Sequence, residues 1–277
     1  MIKKCSTCGT EYILNPYYDS LLIPDGISEE TKEKLKYVPN CNCYENRNKK
    51  IQRVKEKKFK EENLQRKIQK YKDVSVIDSK FLKSTFKNST FNEIGIKSAY
   101  KYAKNFIKKN GSSLGILFYG PPGTGKTYAT ACISNYLMDH GKTVLVFSLD
   151  LYLSKIKASF GDTEEELLNL VKSCDLLVLD DFGGESALSE WAISKIFNLI
   201  DIRYRSEKAI LISTNLKFNK DYRKCEIFKK FKIKNICRIK DRINEMCYPI
   251  KLEGSSKRQV LVQEFFDFIG GKDAYGK

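Results

Sequence analysis

The chain has 277 residues, 42% of them hydrophobic, enough for one α/β core and a smaller appendage. Its net charge of +16 is concentrated in two stretches. Residues 44–72 hold twelve Lys/Arg against four Glu, and residues 217–260 hold fourteen against five. Such clusters point toward a polyanion, because cations that neutralise phosphates release condensed counterions, although a Lys-rich helix can also be merely soluble. No run approaches the ~20 apolar residues of a membrane span and the start lacks a signal-peptide core, so a cytoplasmic location without a membrane partner is expected. The nine cysteines are then expected in a reducing compartment, where metal binding is favoured over disulfides. The single histidine, His140, stands just before Gly141 at the end of a predicted helix, where a cation would complement the helix dipole.

Residues 1–43 contain Cys5, Cys8, Cys41 and Cys43 and three of the six prolines. Cys5-Ser-Thr-Cys8 has knuckle spacing, and with Cys41-Asn-Cys43 it offers four thiolates suited to tetrahedral Zn²⁺. Tyr12, Tyr17 and Tyr18 could pack a small metal core, while reduced or redox cysteines are the competing reading. The other cysteines, 132, 174, 225, 237 and 247, share no ligand spacing. Residues 44–72 read as one exposed helix, free of Gly and Pro, with a thin apolar set at Ile51, Val54, Leu64, Ile68 and Tyr71. The expected organisation is a Cys-rich zinc module over 1–43, a basic helical linker over 44–84 and a larger domain over 85–277.

From about residue 90, short apolar strands alternate with amphipathic helices. Strands are predicted at 115–119, 143–148, 175–180, 208–213 and 248–252. Helices are predicted near 125–140, 163–172, 187–205 and 235–246. Strands this continuously apolar are buried on both faces, so the fold class is α/β with a largely parallel sheet.

Gly120-Pro121-Pro122-Gly123-Thr124-Gly125-Lys126-Thr127 is a phosphate-binding loop between a strand and a helix. Its glycines let backbone N–H groups point at phosphates, Lys126 adds a point charge, and the Thr127 hydroxyl can ligate Mg²⁺. Four apolar residues then lead to Asp180-Asp181 at a strand end, where Asp180 can hold Mg²⁺ through water and Asp181 can polarise the attacking water. Ser213-Thr214-Asn215 ends the fourth strand, and a neutral amide there can contact both γ-phosphate and water, although Asn after a strand is also an ordinary turn residue. ATP and Mg²⁺ are the cofactors these motifs imply.

These blocks, with Asn198–Tyr204 before the fourth strand and Ile250–Arg258 after it, resemble the DnaC/DnaI/IstB group of AAA+ ATPases over roughly residues 85–262. The resemblance implies a P-loop AAA+ core and an ATPase that loads a replicative helicase on single-stranded DNA, assembling head to tail into a ring or spiral. Its IstB branch implies a transposition helper instead. A P-loop phosphotransferase and a non-hydrolysing DNA-binding switch are further alternatives. By motif position, Asn215 matches the first sensor and Arg258 the second, while Arg238 and Arg242 fall in the segment of the arginine finger, with Arg242 favoured. Phe160 and Trp191 lie where similar loaders carry aromatic contacts to single-stranded DNA, with plain packing as the competing reading. One departure is Asp181 where many AAA+ proteins have Glu, a carboxylate one methylene shorter. Similar DnaI-type loaders carry a zinc-containing amino-terminal domain that docks on the helicase, which favours the loader branch.

Overall fold

A computed structural model describes residues 4–75, 79–89, 94–158, 162–183, 189–219 and 236–254. Phe160, Arg258 and Cys225 lie outside the described residues. The chain divides into two compact units, Met1–Asn63 and Leu64–Lys277. The division falls inside one helix.

In the first unit, β1 (Tyr12–Leu14) pairs antiparallel with β2 (Tyr37–Pro39), Leu14 facing Tyr37. Between them α1 (Glu29–Lys36) starts at Ser28, whose hydroxyl accepts from the Thr31 N–H. Glu29 and Glu30 in its first turn and Lys34 and Lys36 in its last complement the helix dipole. The 32-residue α2 (Cys43–Val74) follows, and residues 44–67 are exposed throughout.

The second unit begins with the end of α2, where Ile68 and Tyr71 are buried. The Tyr71 hydroxyl meets the Ser173 hydroxyl at 2.7 Å. It continues with α3 (Ser79–Lys83), α4 (Ile94–Lys108), β3 (Gly115–Tyr119), α5 (Lys126–Asp139), β4 (Val144–Ser148) and α6 (Leu149–Ala158). Then come α7 (Asp162–Ser173), β5 (Leu176–Asp180), α8 (Glu190–Arg205), β6 (Ile210–Thr214), α9 (Ile236–Met246) and β7 (Cys247–Lys251). The five strands β3 to β7 pair in the order β4-β5-β6-β3-β7, every pair parallel.

Alternate strand residues feed two cores. Leu145, Phe147, Leu177, Leu179, Ile210 and Ile212 pack with Ile196 and Ile200 of α8 and Ile239 and Ile243 of α9. Val144, Val146, Leu176, Val178, Ile116 and Phe118 pack with Ala99 and Phe106 of α4 and Ile133 and Leu137 of α5. This two-sided burial explains the unbroken apolar strands. The outer strand β4 is protected by the end of α2, since the Ser75 hydroxyl accepts from the Val146 N–H at 2.9 Å.

Among the described residues no helix is long and apolar enough to cross a membrane.

Candidate nucleotide site and cysteine cluster

The phosphate loop leaves β3 at its carboxyl end and enters α5 through Gly125, which caps the helix in the left-handed region at φ 91°. Gly120 must be glycine: its φ is 146°, and a Cβ there would lie 2.1 Å from the Leu252 carbonyl oxygen just beyond β7. The Leu252 N–H donates to the Tyr119 carbonyl at 2.8 Å, so β7 and its exit fix the start of the loop. Lys126 is buried, and its ammonium folds back across the loop to donate to the carbonyls of Gly120 at 2.9 Å and Pro121 at 2.8 Å. Thr124 braces the turn by donating to the Pro121 carbonyl at 2.9 Å.

Asp180, the last residue of β5, is reached from both sides. The Thr127 hydroxyl donates to its carboxylate at 3.0 and 3.2 Å, and the Ser213 hydroxyl of β6 donates to Oδ1. Because β6 lies between β5 and β3, this chain of contacts runs over the carboxyl end of the inserted strand. Partial burial pushes the Asp180 carboxyl above the usual carboxylate range, and the bonds from Ser213 and Thr127 oppose that rise.

Asp181 sits at φ 52°, a left-handed conformation that few residues other than Gly, Asn and Asp accept. Ser213 holds the turn open: its hydroxyl accepts from the Asp181 N–H at 3.0 Å and its carbonyl from the Phe182 N–H at 2.7 Å. The exposed carboxylate of Asp181 in turn accepts from the Asn215 amide at 2.9 Å. The loop, both aspartates and Asn215 therefore form one connected constellation. Ser213 is the residue that sequence reasoning passed over. The available signal was a hydroxyl at the end of an otherwise apolar strand.

These groups fit MgATP. Thr127 and Asp180 supply adjacent hard oxygen donors of the kind Mg²⁺ takes, and a glycine cradle with a buried lysine suits phosphate oxygens.

The two arginines of α9 differ. Arg238 is exposed. Arg242 is bound within its own chain, paired with Asp201 of α8 at 2.5 Å and lying 4.6 Å over the Phe197 ring and 5.3 Å over the Tyr204 ring. Trp191, in the first turn of α8, is 37% exposed. Two ammonium groups flank its ring, Lys157 at 5.4 Å and Lys195 at 5.9 Å from the centroid, and Lys195 also pairs with Glu164 at 2.5 Å.

A separate cavity of about 730 Å³ opens beside α4 and α5, lined by Phe86, Tyr100, Asn135 and Tyr136 among others, and none of its described lining residues belongs to the phosphate loop.

In the first unit the thiols of Cys5, Cys8, Cys41 and Cys43 all lie within 4.8 Å of one another. The first pair sits on a tight turn closed by the Gly9 N–H to the Cys5 carbonyl and the Cys5 N–H to the Thr10 carbonyl, both at 2.8 Å. Gly9 makes that turn at φ 73°. Hydrogen bonds from Thr10 draw the Cys8 thiol down to about 6, whereas hydrogen bonding with Cys8 pushes the Cys43 thiol up to about 12. Four thiols crowded this closely are the tetrahedral ligand set that Zn²⁺ takes, so the donor set fits Zn²⁺.

A parallel sheet in this order, with a phosphate loop after one strand and carboxylates at the end of another, defines an ATP-binding domain of the AAA+ type. The chain belongs to the family of IstB-like ATP-binding proteins, whose profile matches residues 50–263. Among curated relatives, the replicative helicase loader DnaC of Buchnera aphidicola (subsp. Baizongia pistaciae) is 34% identical over 171 residues, 58% of this chain and 65% of its own length. The replicative helicase loader DnaI of Bacillus subtilis is 26% identical over 204 residues, 69% of this chain and 65% of its own. DnaC of Escherichia coli K12 is 32% identical over 135 residues, 47% of this chain and 55% of its own. The chain thus spans just under two thirds of the longest-matched of these relatives. A crystal structure of DnaI superposes with a TM-score of 0.54 at 22% identity, covering 66% of this chain and 95% of that one. A crystal structure of the DnaC helicase loader gives 0.53 at 21%, covering 64% and 100%, and both likenesses concern the fold.

Proposed function

We propose that the protein is an ATP-dependent loader of a replicative helicase, coupling ATP binding and hydrolysis to placement of that helicase on single-stranded DNA. The observation that carries this reading is the connected constellation from Thr127 through Asp180 and Ser213 to Asp181 and Asn215. It supplies an oxygen pair for Mg²⁺ and a carboxylate oriented by an amide, within a family whose curated relatives are named helicase loaders.

In this reading the phosphate loop binds the triphosphate, Lys126 transfers its hydrogen bonds from the loop carbonyls to phosphate oxygens, and Thr127 with Asp180 hold Mg²⁺. Mg²⁺ held there would neutralise charge that builds on the phosphates. Asp181, held by Asn215, accepts hydrogen bonding from the attacking water. Its shorter side chain places more weight on the left-handed turn that carries it forward.

A neighbouring subunit completes the site with an arginine of α9, in a head-to-tail ring or spiral. Arg238 is exposed for that role, whereas Arg242 reaches a neighbour only when its bond to Asp201 opens. Arg258 completes the γ-phosphate contacts. Trp191, with Phe160, contacts single-stranded DNA. Its exposed ring between two lysines suits a stacked base with a flanking phosphate. The cysteine cluster holds one Zn²⁺ and orders an amino-terminal module that docks on the helicase. Function is in the cytoplasm.

The test is copurification of the full chain with the replicative helicase of the same genome, with and without ATP. A complex that forms with wild-type protein and is lost on Cys41→Ser supports the loader reading. Failure of the wild-type protein to bind that helicase, with binding to a transposase instead, overturns it in favour of the transposition helper.

A further inference from the structure

We infer that α2 is a second nucleic-acid contact, a cationic stripe that binds the phosphodiester backbone. This goes beyond the loader reading, because it concerns no residue of the nucleotide site or of the docking module's metal cluster.

Helical geometry sets the stripe. Lys49, Arg53, Lys57 and Lys60 recur at intervals of four, four and three residues, and Lys50 lies beside them. At 100° per residue these five occupy an arc of about 100°, within which no carboxylate falls. Glu45, Glu56 and Glu61 border the arc, and only from its margins do Glu45 and Glu61 approach Lys49 and Lys57, each at 3.9 Å. All five cations are exposed.

Stacking like charges at i and i+4 destabilises a helix in isolation, so a helix serving only as a spacer gains by interleaving acids. Here the opposite choice is made along one face. The apolar residues offer no competing explanation: Tyr44, Ile51, Val54 and Phe59 are exposed and spread over the rest of the surface rather than along a heptad seam. A protein partner that buries a helix needs such a seam. A polyanion does not, because its binding is driven by counterion release.

The dimensions fit. Cations one helical turn apart rise about 6 Å, close to every second phosphate along a strand at about 3.4 Å per nucleotide. From Lys49 to Lys60 the stripe covers about 16 Å. With no aromatic residue inside the arc between Lys49 and Lys60, it contacts backbone rather than bases and carries no sequence preference.

The experiment measures binding of the full chain to fluorescent single-stranded and duplex oligonucleotides of mixed sequence across a salt series. The test variant is Lys49→Gln/Arg53→Gln/Lys57→Gln/Lys60→Gln. A matched variant neutralises four cations off the stripe, Arg47→Gln/Lys55→Gln/Lys58→Gln/Arg66→Gln. The stripe variant is expected to lose at least tenfold in affinity near 0.1 M salt. The slope of log K against log salt should fall by about two to three, as for the loss of three or four single-strand phosphate contacts. Far-ultraviolet circular dichroism and MgATP binding should match wild type, and the matched variant should lose less than threefold. A larger loss with single-stranded than with duplex oligonucleotide assigns the stripe to the single strand, and the reverse assigns it to the duplex. Unchanged affinity and slope in the stripe variant overturn the inference. Equal losses in both variants overturn it too, since net charge rather than the stripe would then be acting. Intact oligonucleotide binding with lost helicase binding would reassign the stripe to a protein partner.

Discussion

Ser213 makes the two aspartates into one device. Its hydroxyl binds the Asp180 carboxylate and the Asp181 N–H, and its carbonyl holds the next N–H. Ser213→Ala is expected to release the turn that keeps Asp181 at positive φ, lowering kcat by at least tenfold while MgATP affinity changes much less. Steady-state kinetics beside equilibrium nucleotide binding check this, and an unaltered kcat would reduce Ser213 to packing. The aspartates themselves should separate by role. Asp180→Asn should weaken Mg²⁺-dependent ATP binding, whereas Asp181→Asn should bind MgATP normally and hydrolyse it poorly. Two variants that both turn over at the wild-type rate would contradict that division. At this scale the sequence was informative where a residue type is chemically specialised, as at Lys126 and Asp180. It was silent where a common residue acts through its placement. Nothing local distinguishes Ser213 from any hydroxyl closing a strand, and its role arises from the insertion of β6 between β3 and β5.

Among the elements, α8 carries a buried guanidinium that ties the sheet to its helices. Arg203 is 0% exposed and donates to the carbonyls of Val171 at 2.8 Å, Cys174 at 2.9 Å, Asp175 at 3.2 Å and Ala209 at 2.5 Å. It thus joins the end of α7 to the starts of β5 and β6. Burial lowers its proton affinity, the desolvation being the dominant effect. Arg203→Leu removes the guanidinium donor from all four carbonyls; the Ala209 carbonyl still accepts from the Leu177 N–H, and each of the others left buried and unmatched costs roughly 1–3 kcal/mol. The melting temperature should fall by on the order of 5 °C or more, and thermal denaturation followed by circular dichroism checks it. A melt unchanged within 1–2 °C would mean that water replaces the guanidinium.

The strands β3 to β7 were legible because each is a short apolar run with two buried faces. Helices α5, α7, α8 and α9 were legible from the spaces between them. Helix α6 was not, since Leu149-Asp-Leu-Tyr-Leu153 continues directly from β4 and no turn residue separates the two periods. The short β1 and β2 were equally hidden, three residues each, with a register set by the fold around the cysteines.

For the whole molecule, two properties depend on more than one element. The cysteine cluster should bind about one zinc per chain after anaerobic purification. Chelation should then unfold the first unit while sparing MgATP binding by the second, because a preformed thiolate site and its fold are stabilised together. Metal analysis with proteolysis of the first unit reads both effects, and metal-free protein with a protease-resistant first unit would contradict them. Subunit completion is tested by mixing. Arg238→Ala and Lys126→Ala proteins should each be nearly inactive alone and should regain part of the ATPase rate together, since one contributes an intact loop and the other an intact finger. Recovery with Arg242→Ala in place of Arg238→Ala would assign the finger to Arg242 and require the Asp201 bond to open on assembly. No recovery with either would remove both arginines from a role in trans.

In the proposed function, ATP bound at residues 120–127 drives a helicase onto single-stranded DNA. The most direct measurement is recovery of active helicase on closed-circular, protein-coated single-stranded DNA, with wild-type chain or Lys126→Ala supplied. Helicase activity should appear with wild-type protein and ATP and stay at background with Lys126→Ala. Loading by Lys126→Ala at the wild-type level would contradict the claim, as would the absence of loading by a wild-type chain that binds both the helicase and ATP.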